Sequence, residues 1–326
     1  MKKILSVILS VFVSTVLLCA CSSETAVLKN STSSSDISSE GKISVVATIF
    51  PPYDFTRQIG GENINVTMLL KPGIESHSYD PTPQDIIKIQ NCDLFIYVGG
   101  ESDEWVKDIL NSNDKKPKKV IALMDCVDVV EEETVEGMDS GKEEHNDGDK
   151  VEYDEHVWTS PKNAVLITKK ICSVLSEIDK SNAKLYEANT KEYCTKLSSL
   201  DSKFRNITDN AKRKTIVFGD RFPFRYFADE YSLKYYAAFP GCSSETEPSA
   251  ATISFLINKV KSEKIPVVFS IELSNGKVSD TICESTGAKK LTFNSCHNIT
   301  QKQFDSGVTY IDLMNENVNS LREALS

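Results

Sequence analysis

Four histidines occur in the 326-residue chain, at positions 77, 145, 156 and 297. Neutral imidazole is the commonest side-chain donor to divalent transition metals. His77 lies in Lys71–Asp85, K-P-G-I-E-S-H-S-Y-D-P-T-P-Q-D, where Pro72, Gly73, Pro81 and Pro83 stiffen a loop that follows the apolar run Val66–Leu70. A stiff loop holding out one imidazole suits a metal ligand; a histidine bonded to a backbone carbonyl is the duller alternative. His156 follows an acid pair in Asp154-Glu155-His156-Val157-Trp158, and His297 sits in Cys296-His297-Asn298, which reads equally as a polar turn. Two carboxylates join the candidates. Asp220 can instead pair with Arg221 or Arg225, and Glu272 with backbone amides.

The elements that must position these groups alternate. Strands are expected at 43–50, 64–70, 94–98 and 119–123, with helices at 53–60, 82–91 and 103–111 between them. Helices at 162–178 and about 181–211 follow. The alternation then restarts with strands at 215–219, 233–239, 266–272 and 290–293, helices at 223–231, 248–263 and 279–286, and a closing helix at 310–325. Strict alternation implies parallel sheets with helices on their faces. The fold class is α/β: two lobes, each with a mostly parallel sheet flanked by helices and its own core, joined by one long helix. Tyr193, Leu197, Leu200, Phe204, Ile207 and Ala211 recur along that helix at alternating four- and three-residue steps, so it reads as a strut roughly 45 Å long. In open parallel sheets, ligands bind at the carboxyl ends of the strands. His77 and His156 follow strands of the first lobe; Asp220, Glu272 and Asn294–His297 follow or end strands of the second. Their convergence suits a divalent transition metal in the cleft.

The ends and the loops set the context. Lys2, Lys3, the apolar Ile4–Leu17 and Leu18-Cys19-Ala20-Cys21 read as a lipoprotein signal over residues 1–20, with Cys21 lipidated and the protein held on the outer face of the cell membrane. Residues 21–41, rich in Ser and Thr, read as a tether. The lobes are expected at 42–180 and 213–326, with the linking helix at 181–212. The segment 131–153 is acidic, contains His145 and reads as a solvated, mobile loop. Seven cysteines beyond Cys21 show no CxxC spacing and read mostly as small buried hydrophobes, with a Cys242–Cys296 bridge left open. A net charge of −10 disfavours nucleic acid and matches cations. A monomer is expected.

The runs P-G-I-E-S-H-S-Y-D-P-T-P-Q-D, D-E-H-V-W-T-S-P-K-N-A, Y-E-A-N and R-Y-F-A-D-E-Y-S-L resemble the zinc and manganese solute-binding lipoproteins of ABC transporters. The resemblance covers essentially the whole mature chain. It implies two lobes on a rigid helix, a metal between them, delivery to a membrane permease, and metal-ligand roles for His77 and His156. The second lobe departs from that pattern. Arg221 stands at the gapless match to the family's third histidine or glutamate, and Asn294 where the family has a ligand aspartate. Arginine stays protonated and cannot ligate. His297 with Asp220, and Glu272 in reserve, are therefore expected to rebuild that half. Three imidazoles and one carboxylate favour zinc, whereas two of each would lean to manganese. A zinc hydrolase is the alternative from another class, but the chain has no HExxH; an adhesion or structural lipoprotein stabilised by metal is the third reading.

Overall fold

The computed structural model describes residues 41–74, 79–112, 115–138, 151–243 and 247–326. Cys21, His77 and His145, with the expected signal and tether, lie outside the described residues.

Eight described strands form two four-stranded parallel sheets. The first contains β1 (Ile43–Ala47), β2 (Ile64–Met68), β3 (Leu94–Tyr97) and β4 (Lys119–Ala122) in the order β2-β1-β3-β4. The second contains β5 (Thr215–Phe222), β6 (Lys234–Pro240), β7 (Val267–Ser270) and β8 (Lys289–Thr292) in the order β6-β5-β7-β8. The two orders correspond strand for strand. Each sheet therefore has a switch point, between β1 and β3 and between β5 and β7, where the loops leaving adjacent strands part in opposite directions and open a crevice.

The helices are α1 (Phe50–Gly60), α2 (Pro83–Asn91), α3 (Glu104–Asn111), α4 (Pro161–Ile178), α5 (Ala183–Asp209), α6 (Arg225–Glu230), α7 (Ala250–Ser262), α8 (Lys277–Thr286), α9 (Gln301–Asp305) and α10 (Tyr310–Leu325). Local chemistry explains their starts. Thr82 and Asp85 form a reciprocal capping box with Pro83 in the first turn of α2, and Thr309 and Asp312 do the same for α10. The first strand stops at Ala47, short of the expected residue 50, because Pro51 and Pro52 occupy the first turn of α1. Helix α9 was not anticipated: it is only five residues long, with a capping box at Thr300 and Gln303. Helix α5 has 27 residues, roughly 40 Å. Its buried stripe runs Tyr186, Thr190, Tyr193, Leu197, Leu200, Phe204, Thr208, so Thr208 and not Ile207 closes it.

Strand β5 gives the largest correction. It does not end at Gly219 but continues through Asp220, Arg221 and Phe222, pairing Arg221 with Phe239 and Phe222 with Pro240 after a register shift between Phe218 and Arg221. Asp220 is thus inside an irregular strand, not in a loop beyond it.

The expectation of a separate core for each lobe also changes. One cluster takes Val45, Ile96 and Ile121 from the first sheet, Ile216, Phe218 and Phe269 from the second, and side chains of α4, α5 and α10. Two satellites cover the outer faces, one around Val46, Phe95 and Ile89, the other around Val217, Val268 and Leu256. Strand alternation causes the split: Val45 and Val46, or Phe218 and Val217, point to opposite faces.

Residues 131–138 are not the solvated chain that their charge suggested. Glu131 bridges Tyr153, Glu133 pairs with Arg225 and accepts from the Tyr235 hydroxyl, Glu136 pairs with Lys259, and the Cys242 amide donates to Glu132. Complementary charge on the second lobe holds them down. All seven described cysteines are thiols, so Cys242 and Cys296 are not bridged. Among the described residues, no helix is long and apolar enough to cross a membrane.

Asp54, fully buried on α1, ties three helices together. It accepts from Arg57 and Gln58 through Oδ1, and from the Tyr310 amide (2.7 Å) and the Tyr193 hydroxyl (3.4 Å) through Oδ2. Burial raises its pKa by more than Arg57 lowers it. Asp54→Ala leaves the buried Tyr310 amide without its acceptor and is expected to cost about 1–3 kcal/mol. Urea denaturation measures the loss; Asp54→Asn, which keeps an acceptor oxygen, should recover most of it.

Candidate metal site

At the switch point of the second sheet, β5 and β7 part and the loops after β6 and β8 close around a cavity of about 30 Å³, near the volume of one water. Its lining includes His156, Arg221, Gly241, Glu272, Ser295 and His297. Thr48, Asp103, Glu155 and the other face of His297 line a neighbouring cavity at the first sheet's switch point. His297 is thus shared by both crevices.

His156 is fully buried at the head of the short 3-10 turn Val157–Thr159 that leads into α4. Asp154 orients it: Oδ1 accepts from the His156 backbone amide at 2.8 Å and faces Nδ1 at 3.1 Å. With Nδ1 as the donor, Nε2 carries the lone pair of the neutral ring, the arrangement in which an outer carboxylate fixes a metal-binding tautomer. Burial pulls the His156 pKa down, but Asp154, then Glu155 and Glu132, outweigh it and leave the pKa raised. Gly241 makes room for this acid, since a Cβ there would meet the Phe222 carbonyl at 2.9 Å and Asp154 Oδ2 at 3.2 Å.

His297 reaches the same place from the loop after β8. Its ring lies 5.3 Å from that of His156 at an interplanar angle of 88°, and 5.0 Å from Trp158. Glu272, at the end of β7, shapes this loop. Its Oε2 accepts the Ser295 amide at 2.6 Å, and its Oε1 accepts the Ser295 hydroxyl at 2.5 Å and the His297 amide at 3.0 Å. Two of the four described non-glycine residues with positive φ, Leu273 (61°) and Cys296 (61°), flank these bonds; backbone strain of this kind gathers where the surroundings over-determine the chain. Trp158 Nε1 donates to the Ser295 carbonyl at 2.8 Å, and Asn298 Nδ2 donates to the carbonyls of Lys71 and Ile74, each at 2.8 Å. The His297 loop is therefore bonded to the base of the loop that leads to His77.

Of the expected ligands, the structure brings His156 and His297 together. His77 lies outside the described residues. Asp220 does not line the cavity: its Oδ1 accepts the Arg221 amide at 2.9 Å and its Oδ2 the Ile271 amide at 3.4 Å. Arg221 does line it, with Nη1 donating to the Ser243 carbonyl at 3.1 Å. Among the described residues no three His, Cys, Asp or Glu side chains are grouped closely enough to hold an ion. Asp154, Ser295 and Asn298 escaped the sequence reading as positioning groups; only Asp154, two residues before a histidine, left a signal there.

Comparison with known proteins agrees with this geometry. The family model described as zinc-uptake complex component A, periplasmic, matches residues 45–324. The high-affinity zinc uptake system protein ZnuA of Bacillus subtilis (strain 168) is 33% identical over 313 residues, covering 94% of this chain and 95% of its own length. The zinc-binding lipoprotein AdcA of Streptococcus pneumoniae (strain ATCC BAA-255 / R6) is 33% identical over 286 residues, 87% of this chain, which spans 56% of that relative. Among solved structures, the Zn(II)-bound ZnuA-like domain of Streptococcus pneumoniae AdcA matches with a TM-score of 0.71 at 30% identity, covering 87% of this chain and 99% of that one. The metal-dependent lipoprotein YcdH of Bacillus subtilis gives 0.73 at 31%, covering 87% and 100%.

Burial also raises the pKa values of acids around the two cavities: Glu155, Asp220 and Glu272 upward, and Asp103 to about 6. A folded-state pKa above the unfolded one contributes stability that is complete below the unfolded value and is lost as pH rises through the folded value. For Asp103 the loss spans about pH 4 to 6, and for His156 it continues above the ordinary value of 6.5. The metal-free protein is therefore expected to melt at a higher temperature near about pH 5 than near about pH 7.5, with Asp103→Asn flattening the acidic part of the slope. Zinc affinity should run the other way, because ligating imidazoles must be neutral. Calorimetry with and without zinc measures both slopes.

Proposed function

The chain belongs to the ZnuA family of zinc-uptake components, and on that premise we propose how this member works: it captures zinc outside the membrane and delivers it to an ABC permease. The observation that carries the reading is the meeting of His156 and His297, 5.3 Å apart and edge to face, from opposite sides of a cleft at a sheet switch point. In this proposal the ligands are the imidazoles of His77, His156 and His297. Asp154 holds the His156 tautomer, and Glu272 holds the loop that carries His297. Asp220, expected as the fourth ligand, is assigned the lesser part of fixing the Arg221 and Ile271 amides. Zinc is the cargo, consistent with a donor set richer in imidazole than in carboxylate.

The same proposal removes residues 1–20, lipidates Cys21, uses residues 21–41 as a tether to the outer face of the cell membrane, and has the protein act as a monomer. Its two lobes, at about 42–180 and 213–326, meet across the helix at 181–212. The protein acts as a carrier and not a catalyst, because the described acids beside the cavity hold backbone amides or the His156 ring and none stands as a general base.

Competition with a chelator of known zinc affinity tests the site. Removing an outer partner of a metal ligand already costs about 10–100-fold in affinity, so His156→Ala and His297→Ala should each exceed about 100-fold; unchanged affinity in either variant would show that the site is misplaced. In cells, deletion should abolish growth under zinc limitation, with rescue by excess zinc. A growth defect that zinc does not rescue would favour an adhesive or structural role.

A further inference from the structure

The side chains facing the cavity carry an unusual charge for a cation site. Beside the two imidazoles stand one carboxylate, Glu272, and one guanidinium, Arg221. Glu272 already accepts three hydrogen bonds from Ser295 and His297. The other nearby acids are also committed, Asp220 to the amides of Arg221 and Ile271, Asp154 to His156, and Glu155 to the Ser102 amide. Arg221 is anchored by its Nη1 bond to the Ser243 carbonyl, and Asp220 fixes its backbone amide, so its charge belongs to the built site. A permanently charged guanidinium repels a dication across a small, partly dry space. It attracts an anion, and its fork matches oxyanions well.

Resting on the zinc reading above, we propose that the cargo is bound together with a small inorganic anion, which fills the fourth position of a three-imidazole zinc and is held from the other side by Arg221. Zinc with three protein donors keeps one position open for water or another small ligand. The anion supplies negative charge that the committed carboxylates do not, and it converts Arg221 from a repelling neighbour into a partner. The cavity, about 30 Å³, sets the size class at chloride, or bicarbonate with adjustment of the lining.

Zinc affinity of the protein is measured by chelator competition at matched ionic strength in chloride, in bicarbonate and in perchlorate, which coordinates zinc poorly, with correction for zinc complexed by each buffer. Affinity in perchlorate should be about tenfold weaker than in the anion that fits, the scale of losing an outer-sphere partner, and the chloride and bicarbonate arms identify that anion. The visible spectrum of the cobalt-substituted protein should shift with the same anion. Arg221→Gln should bind zinc equally in all three buffers and lose the spectral shift, while Arg221→Lys should keep part of both; a thermal melt of each variant checks folding. Equal affinity of the unaltered protein in all three buffers overturns the proposal, as does anion dependence that survives in Arg221→Gln. A general tightening in Arg221→Gln with no anion effect in the unaltered protein makes Arg221 only repulsive, which also overturns it. In each of these results a continuing requirement for His156 and His297 leaves the zinc site standing; loss of that requirement sinks the zinc reading itself.

Discussion

Trp158 gives its indole N–H to the Ser295 carbonyl and receives the Tyr310 hydroxyl on its own carbonyl, so one buried residue joins the loop after β8, the C-terminal helix and the entry to α4. Its ring also lies 5.4 Å from His156 and 5.0 Å from His297. Both histidines are thus placed against the same rigid surface. Without that seam, two similar sheets would each present an incomplete crevice. With it, the histidine of the first lobe and that of the second share one cavity. The shared core beneath serves the same end, because α4, α5 and α10 pack against inner faces of both sheets.

Around the cavity, acids work mainly as scaffolding. Glu272 bridges to Ser295 and His297, Asp220 to Ile271, Asp154 to His156, and Asp103 to the Val98 and Gly99 amides. Each carboxylate replaces lost water with backbone N–H groups, and the enclosure that makes those bonds strong also raises its pKa. A cleft built this way holds its imidazoles in fixed directions, which suits recognition of an ion with defined geometry. It also leaves the charge balance of the site to Arg221 and whatever meets it.

Much of the architecture was legible because it depends on local periodicity. Alternating apolar runs and helix-start signals such as Thr82-Pro83-Gln84-Asp85 act within a few residues, and the elements lie close to where those signals placed them. The failures share one cause. Gly219-Asp220 looks like a strand end, yet pairing with β6 carries β5 to Phe222. The acids of 131–138 look solvated, yet Arg225 and Lys259, about a hundred residues later, hold them. Separate cores looked sufficient, yet the long helices gave both sheets a common one. In each case a partner distant in sequence supplied energy that no local window contains.

The sequence by itself determined the α/β alternation, the family and the imidazoles at 156 and 297 as candidate donors, since residue type and spacing carry that information. The tertiary structure alone decided which groups meet and which are already engaged: that Glu272 spends its oxygens on the 295–297 backbone, that Asp220 turns to Ile271, and that Arg221 faces the cavity. A carboxylate has the same composition whether it faces a metal or an amide. Only the direction of the neighbouring strand and the N–H groups it offers distinguish the two.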